Sequence, residues 1–262
     1  MGIHIATPYS HLFNDRMIRE RIRGVSDAIE LRSPAQARDV TGPILFHSEL
    51  SIVAPWEGAE IRQLNSLAKW AQGRLQAASF HVLSRYHKND IEDGAFVGRG
   101  KPMGAAKMED TAAVNVRAVR EILGSEVPLL LENNNHLGTD AYDVVTDPDF
   151  LSSLMMRLDL RLLLDIAHAR ITARTTGSDE KKYISALPLE STLQVHLSRH
   201  QERNAGGFDT HDALEDEDFA YFVDLLPQLP HLEYATIEFY QGADMLVRQL
   251  GRLSKLLNTI KK

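Results

Sequence analysis

Eight short apolar runs, most of them separated by stretches of helical period, leave few architectures open to this chain. The runs are MGIHIA (1–6), DAIELR (27–32), PILFHS (43–48), ASFHVLS (78–84), VPLLLEN (127–133), LRLLLDI (160–166), TLQVHL (192–197) and YATIEF (234–239). Their length and flanks read as buried strands. Between them, Trp56 to Leu75 places Ile61, Leu64, Ala68, Ala71 and Leu75 on one helical face. Thr111 to Leu123 does the same with Ala112, Val116, Val119 and Leu123. The clearest stripe is C-terminal: Leu246, Leu250, Leu253, Leu257 and Ile260. Acids at 147–149 and 215–218 stand where helix N-termini favour them.

This rhythm, in a chain of 262 residues, predicts an α/β fold: one (β/α)8 TIM barrel over residues 1–262. The rival is an open, doubly wound sheet. Neither G-x-G-x-x-G nor G-x-x-x-x-G-K-[ST] follows the first run, which removes the usual nucleotide fingerprints of that rival.

Enzymes on this fold keep their chemistry at the C-terminal ends of the strands. Read in order, those ends supply His47, His81, Glu132, Asp165 with His168 three residues on, His196, and Glu238. The loop after the seventh strand adds Asp209 and His211. Any one of these has an ordinary structural reading. Together, five imidazoles and four carboxylates exceed the three or four protein ligands of a single zinc. Carboxylates buried together need compensation, and cations supply it. The stoichiometry implies two or three metal ions. Glu132, Asp165 and Glu238 are the catalytic carboxylates of this reading.

The order His, His, Glu, Asp-x-x-His, His, Asp-x-His, Glu resembles the ligand series of the endonuclease IV and xylose-isomerase-like TIM barrels. Within them, LLLEN (129–133), LLLDIAHARITA (162–173), LPLESTLQVHLSRH (187–200) and FDTHDAL (208–214) most resemble the multinuclear non-haem iron-dependent oxidative enzymes. That family includes modifiers of ribosomally made peptides. The likeness is strongest from about residue 127 to 240. The resemblance implies that Glu132 bridges two metals, one also held by His47 and His81, the other by Asp165, His196 and Glu238. It gives His168, Asp209 and His211 to a third. It also implies iron and a peptide or small-molecule substrate, and a partner protein for substrate delivery is expected alongside. Zinc or manganese suits the same ligands, and would make the protein a phosphoesterase like endonuclease IV or a sugar isomerase.

Other residues enter as substrate contacts or as supports for the ligands. Asn133 follows Glu132 and is read as orienting it or a bound oxygen, or as a turn residue. Glu30 ends the second run. His4 is read as an exposed or core histidine, or as pointing at the mouth, and His200 as a support for His196 or a surface residue. The segment 84–110 reads as a long loop acting as a lid, with Arg99 and Lys101 as anion contacts. Gly206 and Gly207 are read as the turn that brings Asp-x-His back over the barrel.

Composition narrows the partners. Acidic residues number 36 against 29 basic, a net charge of -7, which argues against nucleic acid or an anionic membrane. There is no cysteine, so thiolate ligands and nucleophiles are excluded. No run approaches membrane-spanning length, and MGIHIATPYSH has neither a basic nor a sustained apolar leader region, so the expectation is a cytoplasmic protein.

Overall fold

The computed structural model describes residues 2–203 and 206–260. Eight parallel strands close into a barrel: β1 (His4–Pro8), β2 (Ala28–Leu31), β3 (Ile44–Ser51), β4 (Leu75–His81), β7 (Leu129–Glu132), β8 (Arg161–Asp165), β9 (Thr192–Leu197) and β12 (Tyr234–Ile237). The apolar runs of the sequence are these strands. Closure is direct, with β1 pairing in parallel with both β12 and β2.

Helices α1 (Arg16–Arg23), α2 (Gly58–Ala71), α3 (Ala105–Leu123), α4 (Pro148–Leu158), α5 (Ile166–Thr176), α6 (Glu180–Ala186), α7 (Asp216–Leu225) and α8 (Ala243–Ile260) form the outer layer. Leu64, Leu67, Val116, Val119, Leu246, Leu250 and Leu253 are buried beneath them. Helix α2 stops at Ala71 because Gln72 and Gly73 both take left-handed backbone, so Leu75 opens β4 instead of closing the helical stripe. Ile260 is 48% exposed and lies beyond the buried part of the C-terminal stripe. The acidic starts do cap: the Asp147 side chain accepts from Asp149 N, and Glu215 and Asp218 form a capping box.

The interior is layered by the two-residue period of the strands. One residue from each strand, namely Ala6, Ala28, Leu45, Ala77, Leu130, Leu163, Leu193 and Tyr234, forms a separate buried apolar cluster. Two residues further along β2, β3, β4, β7 and β8 stand Glu30, His47, Ser79, Glu132 and Asp165, all buried. An apolar floor thus carries a polar layer at the mouth.

Two antiparallel hairpins rise from that end. β5 (Lys88–Glu92) and β6 (Ala95–Arg99) occupy the segment expected to be a long loop. The polar sequence of β5 hides the strand. This hairpin docks on the loop after β7: Phe96 N donates to Tyr142 Oη at 2.8 Å, and Thr139 Oγ1 donates to Phe96 O. The second hairpin is β10 (Arg199–Arg203) with β11 (Gly206–Asp212). Gly206 and Gly207 are strand residues, facing Arg203 and Glu202, and do not make the turn read from the sequence. Among the described residues, no helix is long and apolar enough to cross a membrane.

Candidate metal centre

Glu132 lies at the middle of the polar layer. Its Oε2 is 2.8 Å from His81 Nδ1 and 3.6 Å from His47 Nε2, and its Oε1 is 3.3 Å from His196 Nδ1 and 3.7 Å from His168 Nδ1. Strands β3, β4 and β9 and the first turn of α5 therefore point at one carboxylate, carried by β7. His196 Nδ1 also lies 3.2 Å from Glu238 Oε2 and 3.9 Å from Asp165 Oδ2. Asp209 Oδ2 is 3.4 Å from His168 Nε2 and 3.0 Å from His211 Nε2, which itself is 3.6 Å from Glu238. All nine ligands expected from the sequence are brought together.

The second hairpin aims its two by a bulge. Arg199 faces Asp212 while the next residue, His200, faces Asp209, so Thr210 and His211 are left out of the ladder. His211 takes a left-handed φ of 48°, uncommon for a residue with a Cβ. Its ring lies edge-on to Tyr240 at 5.2 Å. Ser198 Oγ donates to Asp209 Oδ1 at 3.1 Å, and His211 N donates to the same oxygen at 3.3 Å.

Three imidazoles have one ring nitrogen held by a neighbour. Ser79 Oγ donates to Phe46 O, so it accepts from His47 Nδ1 at 2.7 Å and Nε2 is left facing inward. The Asn133 carbonyl accepts from His168 Nδ1 at 3.1 Å, leaving Nε2 toward Asp209. Glu30 Oε2 lies 2.9 Å from His196 Nε2, leaving Nδ1 inward. Metal-binding histidines are held this way.

The electrostatics demand compensation. Glu30 and Asp165 are 0% exposed, Glu132 1% and Glu238 3%. Burial pushes the Asp165 carboxyl up to about 7; His168 opposes this, while Asp209, Glu132 and Glu238 add to it. Burial acts equally on Glu132, but the His81, His47 and His168 imidazoles hold it well below the usual carboxylate range. Against burial, Glu238 and Glu30 raise His196, and Asp165 and Glu132 raise His168. His47 goes the other way, lowered by burial and by the Arg32 guanidinium. His211 is raised to about 10 against burial, by hydrogen bonds to Asp209 and Glu238.

These residues fit metal ions. Glu132 Oε2, Asp165 Oδ2, His196 Nδ1 and both His81 nitrogens are buried without a hydrogen-bond partner. His81 Nδ1 and Glu132 Oε2 approach to 2.8 Å without hydrogen-bond alignment. Unpartnered buried polar atoms are costly, and several converging on one space are what a cation satisfies. Ligand atoms within 4.8 Å of one another form four groups: His47, Glu49 and His81; Glu30, His196 and Glu238; Glu132, Asp165 and His168; Asp209, His211 and Glu238.

The remaining expectations divide. Asn133 is buried and clamps the main chain of Asp165. Glu30 joins the centre through His196. His4 does not: it is the first residue of β1, paired with Tyr234, the first of β12, and so stands at the opposite end of the barrel. An apolar run does not show where its ladder begins, which is why the sequence also allows it at the mouth. Arg99 is ion-paired with Asp90 inside the first hairpin, which occupies it as an anion contact, and Lys101 is exposed beyond β6. Sequence reasoning missed Arg32, Glu49, Gln194 and Tyr240. Arg32 carried a readable signal, two residues after Glu30 on an alternating strand.

Residues 50–233 match the family described as RiPP precursor modification enzyme MbnB/TglH/ChrH. That stretch contains His81, Glu132, Asp165, His168, His196, Asp209 and His211, with His47 and Glu238 just outside it. A UPF0276 protein of Caulobacter vibrioides is 36% identical over 98 residues, spanning 37% of this chain and 34% of the relative's own length. A D-tagatose 3-epimerase-like protein superposes with a TM-score of 0.64 at 14% identity, covering 99% of this chain and 98% of its own. A xylose isomerase-like TIM barrel protein from Mycobacterium smegmatis, solved in complex with magnesium, gives 0.60 at 12% identity over 98% and 97%. These two likenesses show the fold, a xylose-isomerase-like TIM barrel. Matched from the end of β3 to the residue before β12, the chain belongs to the MbnB/TglH/ChrH family of RiPP precursor modification enzymes.

Proposed function

We propose that this protein is a metal-dependent enzyme that oxidises a peptide, with two or three iron ions at the barrel mouth and dioxygen as oxidant. The observation that carries the reading is the set of buried atoms on Glu132, Asp165, His81 and His196 that have no hydrogen-bond partner. The family's description as modifiers of peptide precursors supports the substrate class. His47, His81 and Glu132 would hold one ion; Glu132, Asp165, His196 and Glu238 a second; His168, Asp209 and His211 a third. Iron supplies, when bound, the one-electron and dioxygen chemistry that no side chain here provides.

The chain's own residues supply geometry. Ser79, the Asn133 carbonyl and Glu30 set which nitrogen of His47, His168 and His196 faces inward. The apolar floor closes the centre to water from below. In this reading the β5–β6 hairpin is the lid, hinged on the loop after β7, and limits water once substrate is seated.

The test is elemental analysis of protein purified without air, followed by oxygen uptake on exposure to substrate peptide. Two or three irons per chain with iron-dependent oxygen consumption are expected. Full zinc occupancy with no such consumption would replace oxidation by hydrolysis.

A further inference from the structure

Strand β2 reaches across the barrel to two residues it does not neighbour in the sheet. β1 stands between β2 and β12, and β9 lies beyond β12. On β1, Ala6 is in register with Ala28 in the floor, and Pro8 with Glu30 in the layer above. Glu30 and Arg32 share the inward face of β2 and its extension, while Leu31 between them is buried in the outer core.

Each engages the outer atom of a residue whose inner atom faces the centre. Glu30 Oε2 meets His196 Nε2 at 2.9 Å and also accepts from Gln194 Nε2, which bonds Thr236 Oγ1 at 2.8 Å. Glu30 Oε1 lies 3.0 Å from Arg32 Nη2. The same Arg32 nitrogen donates to Glu238 Oε1, and Tyr240 Oη stands 3.4 Å from that oxygen. What remains is inward: His196 Nδ1, without a hydrogen-bond partner, 3.2 Å from Glu238 Oε2.

We propose that Glu30 and Arg32 are positioning residues of this centre: Glu30 fixes His196 with Nδ1 inward, and Arg32 fixes Glu238 as a ligand through one oxygen only. The inference rests on the metal-binding reading above. One guanidinium also compensates two buried carboxylates, Glu30 and Glu238.

The experiment loads the wild type and the variants Glu30→Gln, Arg32→Met and Arg32→Lys with cobalt(II). It reads affinity by chelator competition and coordination by visible absorption, with far-ultraviolet circular dichroism as the check on folding. Glu30→Gln is expected to bind cobalt about 10- to 100-fold more weakly, with little change in band shape. Arg32→Met frees Glu238 Oε1, so coordination number rises and the visible bands weaken; Arg32→Lys restores them in part. If Arg32→Met fails to fold, Glu30→Gln and Arg32→Lys carry the test. Folded variants with wild-type affinity and wild-type bands would overturn the inference and leave the metal centre standing. A wild type that takes up no cobalt overturns the metal-centre reading and this inference with it.

Discussion

Asn133 holds the main chain of Asp165 with two hydrogen bonds, its Oδ1 accepting from Asp165 N at 2.8 Å and its Nδ2 donating to Asp165 O at 2.9 Å. A side chain on the end of β7 thereby sets the exit of β8, one residue before α5 begins. Both Asp165 groups are buried and would lose their partner together. Asn133→Ala is expected to lower unfolding free energy by about 1–3 kcal/mol, read as a lower urea midpoint at unchanged slope.

The bulged hairpin carries Asp209 and His211 without help from the barrel strands. The double variant Asp209→Ala, His211→Ala is therefore expected to fold with the barrel intact and to lose one ion per chain, measured by elemental analysis. Full metal content in that variant would remove these two residues from the ligand set.

An ion that binds only the folded state stabilises it by mass action, about 2.7 kcal/mol when free ion stands at 100 times its Kd. Chelator treatment should lower Tm, and restoring the ion should recover it. A Tm indifferent to both would show that the polar layer holds no ion under those conditions.

Leu130 on β7 and Leu163 on the neighbouring β8 both belong to the floor layer, each at most 1% exposed. Leu130→Ala opens a cavity directly beneath Glu132 and is expected to cost about 2–5 kcal/mol. The measurement is denaturant unfolding, with metal content as a second reading of the damage above.

Tyr142 is the anchor of the first hairpin, its hydroxyl accepting from Phe96 N at 2.8 Å. Tyr142→Phe removes that bond, worth about 0.5–1.5 kcal/mol. Faster amide exchange confined to residues 88–99 is the expected result. Protection unchanged there would place the hairpin's hold in Thr139 instead.

The barrel was legible because strands covered on both sides are written as unbroken apolar runs, and VPLLLEN or LRLLLDI admits few other readings. The ligands were legible for the same reason: a charged residue closing such a run, as Glu132 and Asp165 do, stands out against it. Contacts across the barrel were not. Nothing in DAIELR shows that Arg32 will meet Glu238, since that depends on strand order. The bulge at Thr210 and His211 was hidden too, because two glycines nearby offered a simpler turn. For His4 the exposed reading holds and the mouth reading falls, because hydrophobicity marks a strand without marking its first hydrogen-bonded residue.

The apolar layer of Ala6, Ala28, Leu45, Ala77, Leu130, Leu163, Leu193 and Tyr234 lies across the barrel just below the charged residues. An ion crossing it would surrender its hydration to hydrocarbon, a cost on the order of tens of kcal/mol. Traffic is thus confined to the mouth, where His211 is a partly exposed member of the set. The residence time of a bound ion is then governed by how often that rim opens as well as by how tightly the ligands grip. A centre of ordinary affinity behind such a rim exchanges its ions slowly.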